Sequence, residues 1–152
     1  MEEIRKIVQR KKELRAEVRK LDRRLDELCN PYRALAEEFR KKLGLKYPPY
    51  ISSRSAHSKT QVIVRKALDY LIKHKHTSDN PITSDDLRKA LGVNYQNFYN
   101  AIRLGSMGRS YGIHWIEEFY VDGVLKGEAF EIVDMKKAKT SVKLLRKMAK
   151  LP

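Results

Sequence analysis

A single cysteine, Cys29, stands among 152 residues, so no intrachain disulfide can staple this fold and a reducing compartment suits it. Long apolar runs are also missing: none approaches the roughly 18–20 residues that a membrane-crossing helix needs. The opening residues, Met1-Glu2-Glu3-Ile4-Arg5-Lys6, contain no apolar stretch of the secretory type, and an intracellular, nucleoid-associated location is the expectation. Acidic residues are short, 19 against 33 basic ones, which leaves a formal charge of +14 and points to a polyanionic partner. Catalytic patterns are lacking too. His57, His74, His76 and His114 have no nucleophile or metal-ligand spacing around them, and His74-Lys75-His76 has no cysteine or carboxylate at ligand distance. No enzyme activity, metal, cofactor or small-molecule ligand is therefore expected.

What the chain does have is charge, at 34% of residues, which suggests long solvated helices. It is unevenly spread. Residues 1–43 are net +5, 44–104 net +6, 105–134 net −4 and 135–152 net +7. An acidic island between basic segments limits which surfaces can face phosphates.

Residues 1–43 carry a heptad pattern. With Ile4 at position a, the a and d positions include Ile4, Ile7, Leu14, Val18, Leu21, Leu25 and Leu28, then Tyr32, Leu35 and Phe39, with Lys11 and Lys42 as the polar exceptions. Asn30-Pro31 interrupts the helix, since proline has no N–H to donate. Asn30 is also a good N-cap with Pro31 at N1, so two helices compete with one kinked helix, and the unbroken register slightly favours the kink. Such a stripe asks for a partner. In a parallel pair Arg10 would face Arg15 and Glu17 would face Asp22, both repulsive. An antiparallel pair sets Arg10 against Glu17 and Arg15 against Asp22, and places Ile4 beside Leu28 and Val18 beside Leu14. A homodimer through an antiparallel coiled coil is the expectation; the competing reading packs the stripe on the chain's own helices.

Residues 44–58, with Pro48-Pro49, four serines and Arg54, read as a linker. A helical pattern resumes at Lys59, with Val64, Ala67, Leu68, Leu71 and Ile72 on its apolar face, and Ser78-Asp79-Asn80-Pro81 follows as a turn.

The next segment carries the functional argument. Thr83 or Ser84 is a natural N-cap for a helix through Leu91, and Asp85 and Asp86 suit its first turn. Gly92 stops that helix, Val93 follows as an apolar plug, and Asn94 caps a second helix over residues 95–104. Leu87, Leu91, Val93, Phe98 and Ile102 are placed to fill the corner between them.

Through Leu87, Leu91, Gly92, Val93, Phe98 and Ala101, residues 60–134 resemble the helix-turn-helix family in its winged form. Arg88 departs from the pattern, standing where the family has a small residue, and implies a looser corner. The resemblance implies that the second helix enters the major groove of duplex DNA. Its outward residues would be Asn94, Tyr95, Gln96, Tyr99, Asn100 and Arg103. Asn and Gln pair with adenine, Arg with guanine, and Tyr hydroxyls reach phosphates.

Glycine-rich residues 105–112 lack the Gly-Lys-Ser/Thr ending of a phosphate-binding loop and read as a connection. A strand over residues 113–121, a turn at Asp122-Gly123 and a return strand over residues 128–133 have the position of a wing. Glu117, Glu118, Glu128 and Glu131 make it acidic, so only Lys126 near the tip and Arg109 before the first strand are expected at DNA. Residues 135–152 form a basic helix with Ala138, Val142, Leu145 and Ala149 at helical spacing, suited either to phosphates or to packing on the first helices with lysines outward. A membrane role is disfavoured because that apolar face is narrow and lacks aromatics.

The resulting expectation is a mainly α, α+β protein. Residues 1–43 form a dimerising helix, 44–58 a linker, 59–134 a winged helix-turn-helix domain and 135–152 a basic helix. The expected function is sequence-specific binding of double-stranded DNA by a homodimeric transcriptional regulator. Two alternatives are a nucleoid-like architectural protein that bridges DNA with little sequence preference, and a basic coiled-coil factor bound to RNA or the ribosome.

Overall fold

The computed structural model describes residues 1–104 and 111–152, with the side chains of residues 28, 29, 103 and 104 left aside. The described residues are mainly helical with one small three-stranded antiparallel sheet, an α+β arrangement.

Among the described residues, helix α1 (Glu2–Cys29) makes its main contact at its junction with α2 (Pro31–Leu43). The break falls at Asn30, whose backbone leaves helical geometry at φ −119°, ψ 80°. Its side chain accepts from the Arg33 N–H at 3.2 Å, and Pro31 takes the first-turn place where no N–H is needed. Two helices therefore form rather than one kinked helix, against the slight preference drawn from the register. The heptad stripe divides at this point. Leu35, Ala36, Phe39 and Leu43 are buried, whereas Ile4, Ile7, Leu14, Val18, Leu21 and Leu25 are exposed. The first half of the stripe does not pack on the chain's own helices.

Residues 44–58, expected as a linker, are exposed over much of their length, and Leu45, Ile51 and Ala56 are the points at which they pack on the core. Ser52 and Ser55 cap each other reciprocally around a one-turn helix, α3 (Ser53–Ala56), and Ala56 is buried. Small side chains and mutual hydroxyl bonds, rather than an apolar period, order this stretch.

Helix α4 (Lys59–Lys73) is the centre of the core, with Val64, Ala67, Leu68 and Leu71 fully shielded from solvent. Strand β1 (Ile82–Thr83), helix α5 (Ser84–Leu91), helix α6 (Tyr95–Tyr99), a π turn (Asn100–Leu104), β2 (Ile113–Val121), β3 (Val124–Ile132) and α7 (Met135–Ala149) follow. The strand order is β1-β3-β2, so β1 pairs with the far strand of the hairpin: Ile82 opposite Phe130, Thr83 opposite Ala129. A two-residue strand has no period of its own and was not expected from sequence. Its partner β3 starts four residues before the expected 128, because the Asp122-Gly123 turn, with positive φ at both positions, pairs Val121 directly with Val124.

The basic helix α7 packs on α2 and α4 and turns its lysines outward. Asp134 caps it by accepting from the Lys137 N–H at 2.9 Å. Arg146 reaches Asp69 on α4 at 2.9 Å, and Lys147 reaches Glu38 on α2 at 2.7 Å. The start of β2 presses against the first turn of α7. Gly112, at φ +78°, accepts from the Val133 and Asp134 N–H groups, and a Cβ there would lie 2.3 Å from the Asp134 carbonyl.

Candidate nucleic-acid interface

Local chemistry builds the α5–turn–α6 unit from both ends. Thr83 is the N-cap: its hydroxyl accepts from the Asp86 N–H at 3.2 Å and donates to the Asp86 carboxylate at 2.8 Å. Gly92 ends α5 in the left-handed conformation at φ +64°. There its N–H donates to the Lys89 carbonyl at 3.1 Å and the Val93 N–H donates to the Arg88 carbonyl at 3.3 Å. This paired closure satisfies the last helix carbonyls and turns the chain sharply. Asn94 then starts α6, its side chain accepting from the Asn97 N–H at 2.8 Å.

Arg88, the residue that departs from the small side chain of the family pattern, is bonded within the turn. One guanidinium nitrogen donates to the Val93 carbonyl at 3.4 Å and another to Asp85 at 2.8 Å. The side chain thus lies across the turn and bonds to it. Arg88 and Lys89 also answer the acids of α5. Hydrogen bonds from Lys89 and then Arg88 hold the Asp85 carboxyl below its ordinary pKa, and Asp85 raises that of Lys89.

Buried Phe98, Ala101 and Ile102 anchor the second helix, with Phe98 edge-on to Phe130 of the sheet at 6.5 Å. The reading face proposed from a 3.6-residue period is graded rather than uniform. Asn94, Tyr95 and Gln96 are exposed, while Tyr99 and Asn100 are half-buried. Tyr99 stacks on Tyr95 with ring centres 5.9 Å apart, and the Gln96 amide donates to Asn100 Oδ1 at 3.2 Å. The π turn over Asn100–Leu104 follows, and its wider spacing rotates the residues after Asn100 relative to a regular α-helix. Arg103 lies in that turn with its side chain outside the described residues, and Arg109 lies outside them altogether.

Asn97 was missed by the periodic reading. It is exposed beside Gln96, in the first turn of a helix that starts at the surface. The signal for it was the Asn94 cap, since residues just after a surface N-cap lack a covering turn.

The hairpin is less acidic than its composition. His114 Nδ1 donates to Glu131 Oε1 across the strands at 2.9 Å, so that carboxylate is engaged and largely covered. Glu117 and Glu118 remain exposed. They sit where the pairing slips from Ile116–Ala129 to Phe119–Gly127, and a compensating slip follows at Lys126. Lys126 is exposed at a tip that otherwise presents Tyr120, Val121, Val124 and Leu125.

Among the described residues no cluster of three or more His, Cys, Asp or Glu can hold a metal ion, and no helix is long and apolar enough to cross a membrane. No protein-family model, curated protein or solved structure matches this chain.

Proposed function

We propose that residues 59–134 are a winged helix-turn-helix domain that binds double-stranded DNA through the exposed start of α6, in a protein acting as a homodimeric transcriptional regulator. One observation carries the reading. A capped helix pair closed at Gly92 presents Asn94, Tyr95, Gln96 and Asn97 to solvent, with no acidic side chain on α6 and with the α5 acid Asp85 neutralised by Arg88 and Lys89. Amide side chains at a helix start match the base edges of a major groove, and the adjacent tyrosine hydroxyls match phosphates. The hairpin after the helix pair, tied back to α5 through β1, supports the winged form.

Selection of bound sites from random duplex DNA with the full chain tests this. An enriched site is expected. Gln96→Ala should relax the preference at one base pair, at about 1–3 kcal/mol of discrimination for a bidentate contact. Binding without any preference would favour the architectural alternative, whose support is the row of exposed Lys136, Lys139 and Lys143 on α7 and Lys150 at its C-cap, which make no ion pair among the described residues.

A further inference from the structure

The stripe Ile4, Ile7, Leu14, Val18, Leu21 and Leu25 is 45–64% exposed except Ile7 at 65%, along a helix that the rest of the chain leaves bare. Six large apolar side chains on one seam are a costly surface to leave in water. The charges beside the seam identify what covers it. Among the described residues Glu3, Arg15, Glu17, Asp22 and Arg24 make no ion pair, although other charges on α1 do: Lys6 with Glu2, Arg10 with Glu13. In heptad positions Glu3, Arg10, Glu17 and Arg24 are the g residues, and Arg15 and Asp22 are charged e residues.

We infer that α1 pairs antiparallel with α1 of a second copy about a two-fold axis near Ala16, holding the two domains at opposite ends of a rod. With that axis the apolar layers match: Ile4 meets Leu28 of the second copy, Ile7 meets Leu25, and Leu14 meets Val18. The same alignment sets Glu3 against Arg24, Arg10 against Glu17 and Arg15 against Asp22, every one of them opposite in sign. The parallel alternative sets Arg10 against Arg15 and Glu17 against Asp22, each twice. One register therefore satisfies both the apolar layers and the charges, and the partner it selects is this chain itself.

The break at Asn30 gives the pairing a consequence. Helix α1 ends there, and α2 already belongs to the globular core. From the axis to Asn30 is 14 residues, so the two points of attachment lie about 42 Å apart at 1.5 Å per residue. That exceeds one turn of duplex, about 34 Å. On the DNA reading above, the dimer joins half-sites separated by more than one turn, or two duplexes.

Spin labels on Cys29 of the full-length chain test the orientation. An inter-label distance of about 40 Å is expected from the helical rise; a distance below about 25 Å, or a chain that stays monomeric, would overturn the inference. A second measurement does not depend on labelling. Arg10→Glu opposes Glu17 of the second copy at two symmetric places and should weaken the dimer about fivefold or more at low salt. Arg10→Glu with Glu17→Arg should restore it. In a parallel pair Arg10→Glu relieves repulsion from Arg15 and tightens the dimer, which would sink the proposal. A dimer with the long distance that binds no duplex would remove the DNA function and leave the α1 pairing standing.

Discussion

Gly92 and Gly112 share a left-handed backbone and differ in what surrounds them. A Cβ at Gly92 meets nothing within 4 Å, so Gly92→Ala should cost only the conformational penalty, about 1 kcal/mol. A Cβ at Gly112 would strike the Asp134 carbonyl at 2.3 Å and crowd the Ala138 N–H at 3.0 Å, both backbone atoms that cannot swing aside. Gly112→Ala should therefore cost about 3 kcal/mol, the penalty and the overpacking together. Urea unfolding of the two variants compares them directly, and equal losses would refute the steric account. Glu38 offers a pH test. Hydrogen bonds from Lys147 first and then Lys42 lower its pKa, so the link it forms between α2 and α7 is complete above the ordinary carboxylate range. That contribution fades as pH falls through the lowered pKa, because the native state then takes up the proton. Glu38→Gln should reduce Tm slightly at about pH 7 and not at about pH 3, a difference that paired thermal melts resolve; for a largely exposed bridge it amounts to a few tenths of a kcal/mol.

At the scale of elements, helix ends account for much of what was readable in advance. The Asn94 cap, the Gly92 stop and the Asp122-Gly123 turn each depend on a few adjacent residues, and each lies where local chemistry predicts it. Asn94→Ala should cost about 1 kcal/mol of stability through loss of the cap. Gln96→Ala, on an exposed side chain that among the described residues bonds to Asn100 alone, should leave thermal unfolding nearly unchanged. A DNA-binding defect in the Gln96 variant is thus readable as lost contact, whereas one in the Asn94 variant is not. Other elements were hidden. Strand β1 exists only because β3 offers it hydrogen bonds, and the π turn forms where Ala101 and Ile102 are held in the core. Arg88 looked like a flaw in the corner because its reach back to the Val93 carbonyl depends on the folded turn.

For the whole molecule, the division at Asn30 separates a part built for the core from a part with no buried residue among those described. Removing residues 1–29 should leave the cooperative unfolding of the remaining domain almost unchanged while abolishing association, as thermal melts and sedimentation would record. A large fall in Tm would mean that α1 supports the core after all. The net charge of +14 also makes a whole-molecule prediction. Affinity for duplex should drop steeply as salt rises, with a log–log slope set by the number of phosphates neutralised. A flat salt response would argue against a phosphate-contacting interface.

The sequence by itself determined the helix caps, the hairpin turn, the apolar faces of α4 and α7 and the charge pattern of α1, because each is encoded within a few turns of chain. It also held the residues of the candidate interface, though not how far each is exposed. The tertiary structure alone decided that the heptad stripe divides at Asn30, that β1 joins the sheet, and that Leu45, Ile51 and Ala56 pack on the core. Those outcomes depend on which apolar faces meet across long separations, as where Phe39 on α2 joins the cluster containing Leu144 on α7. The same competition left Ile4 through Leu25 uncovered: the core was filled without them, and their periodic seam remained free for another chain.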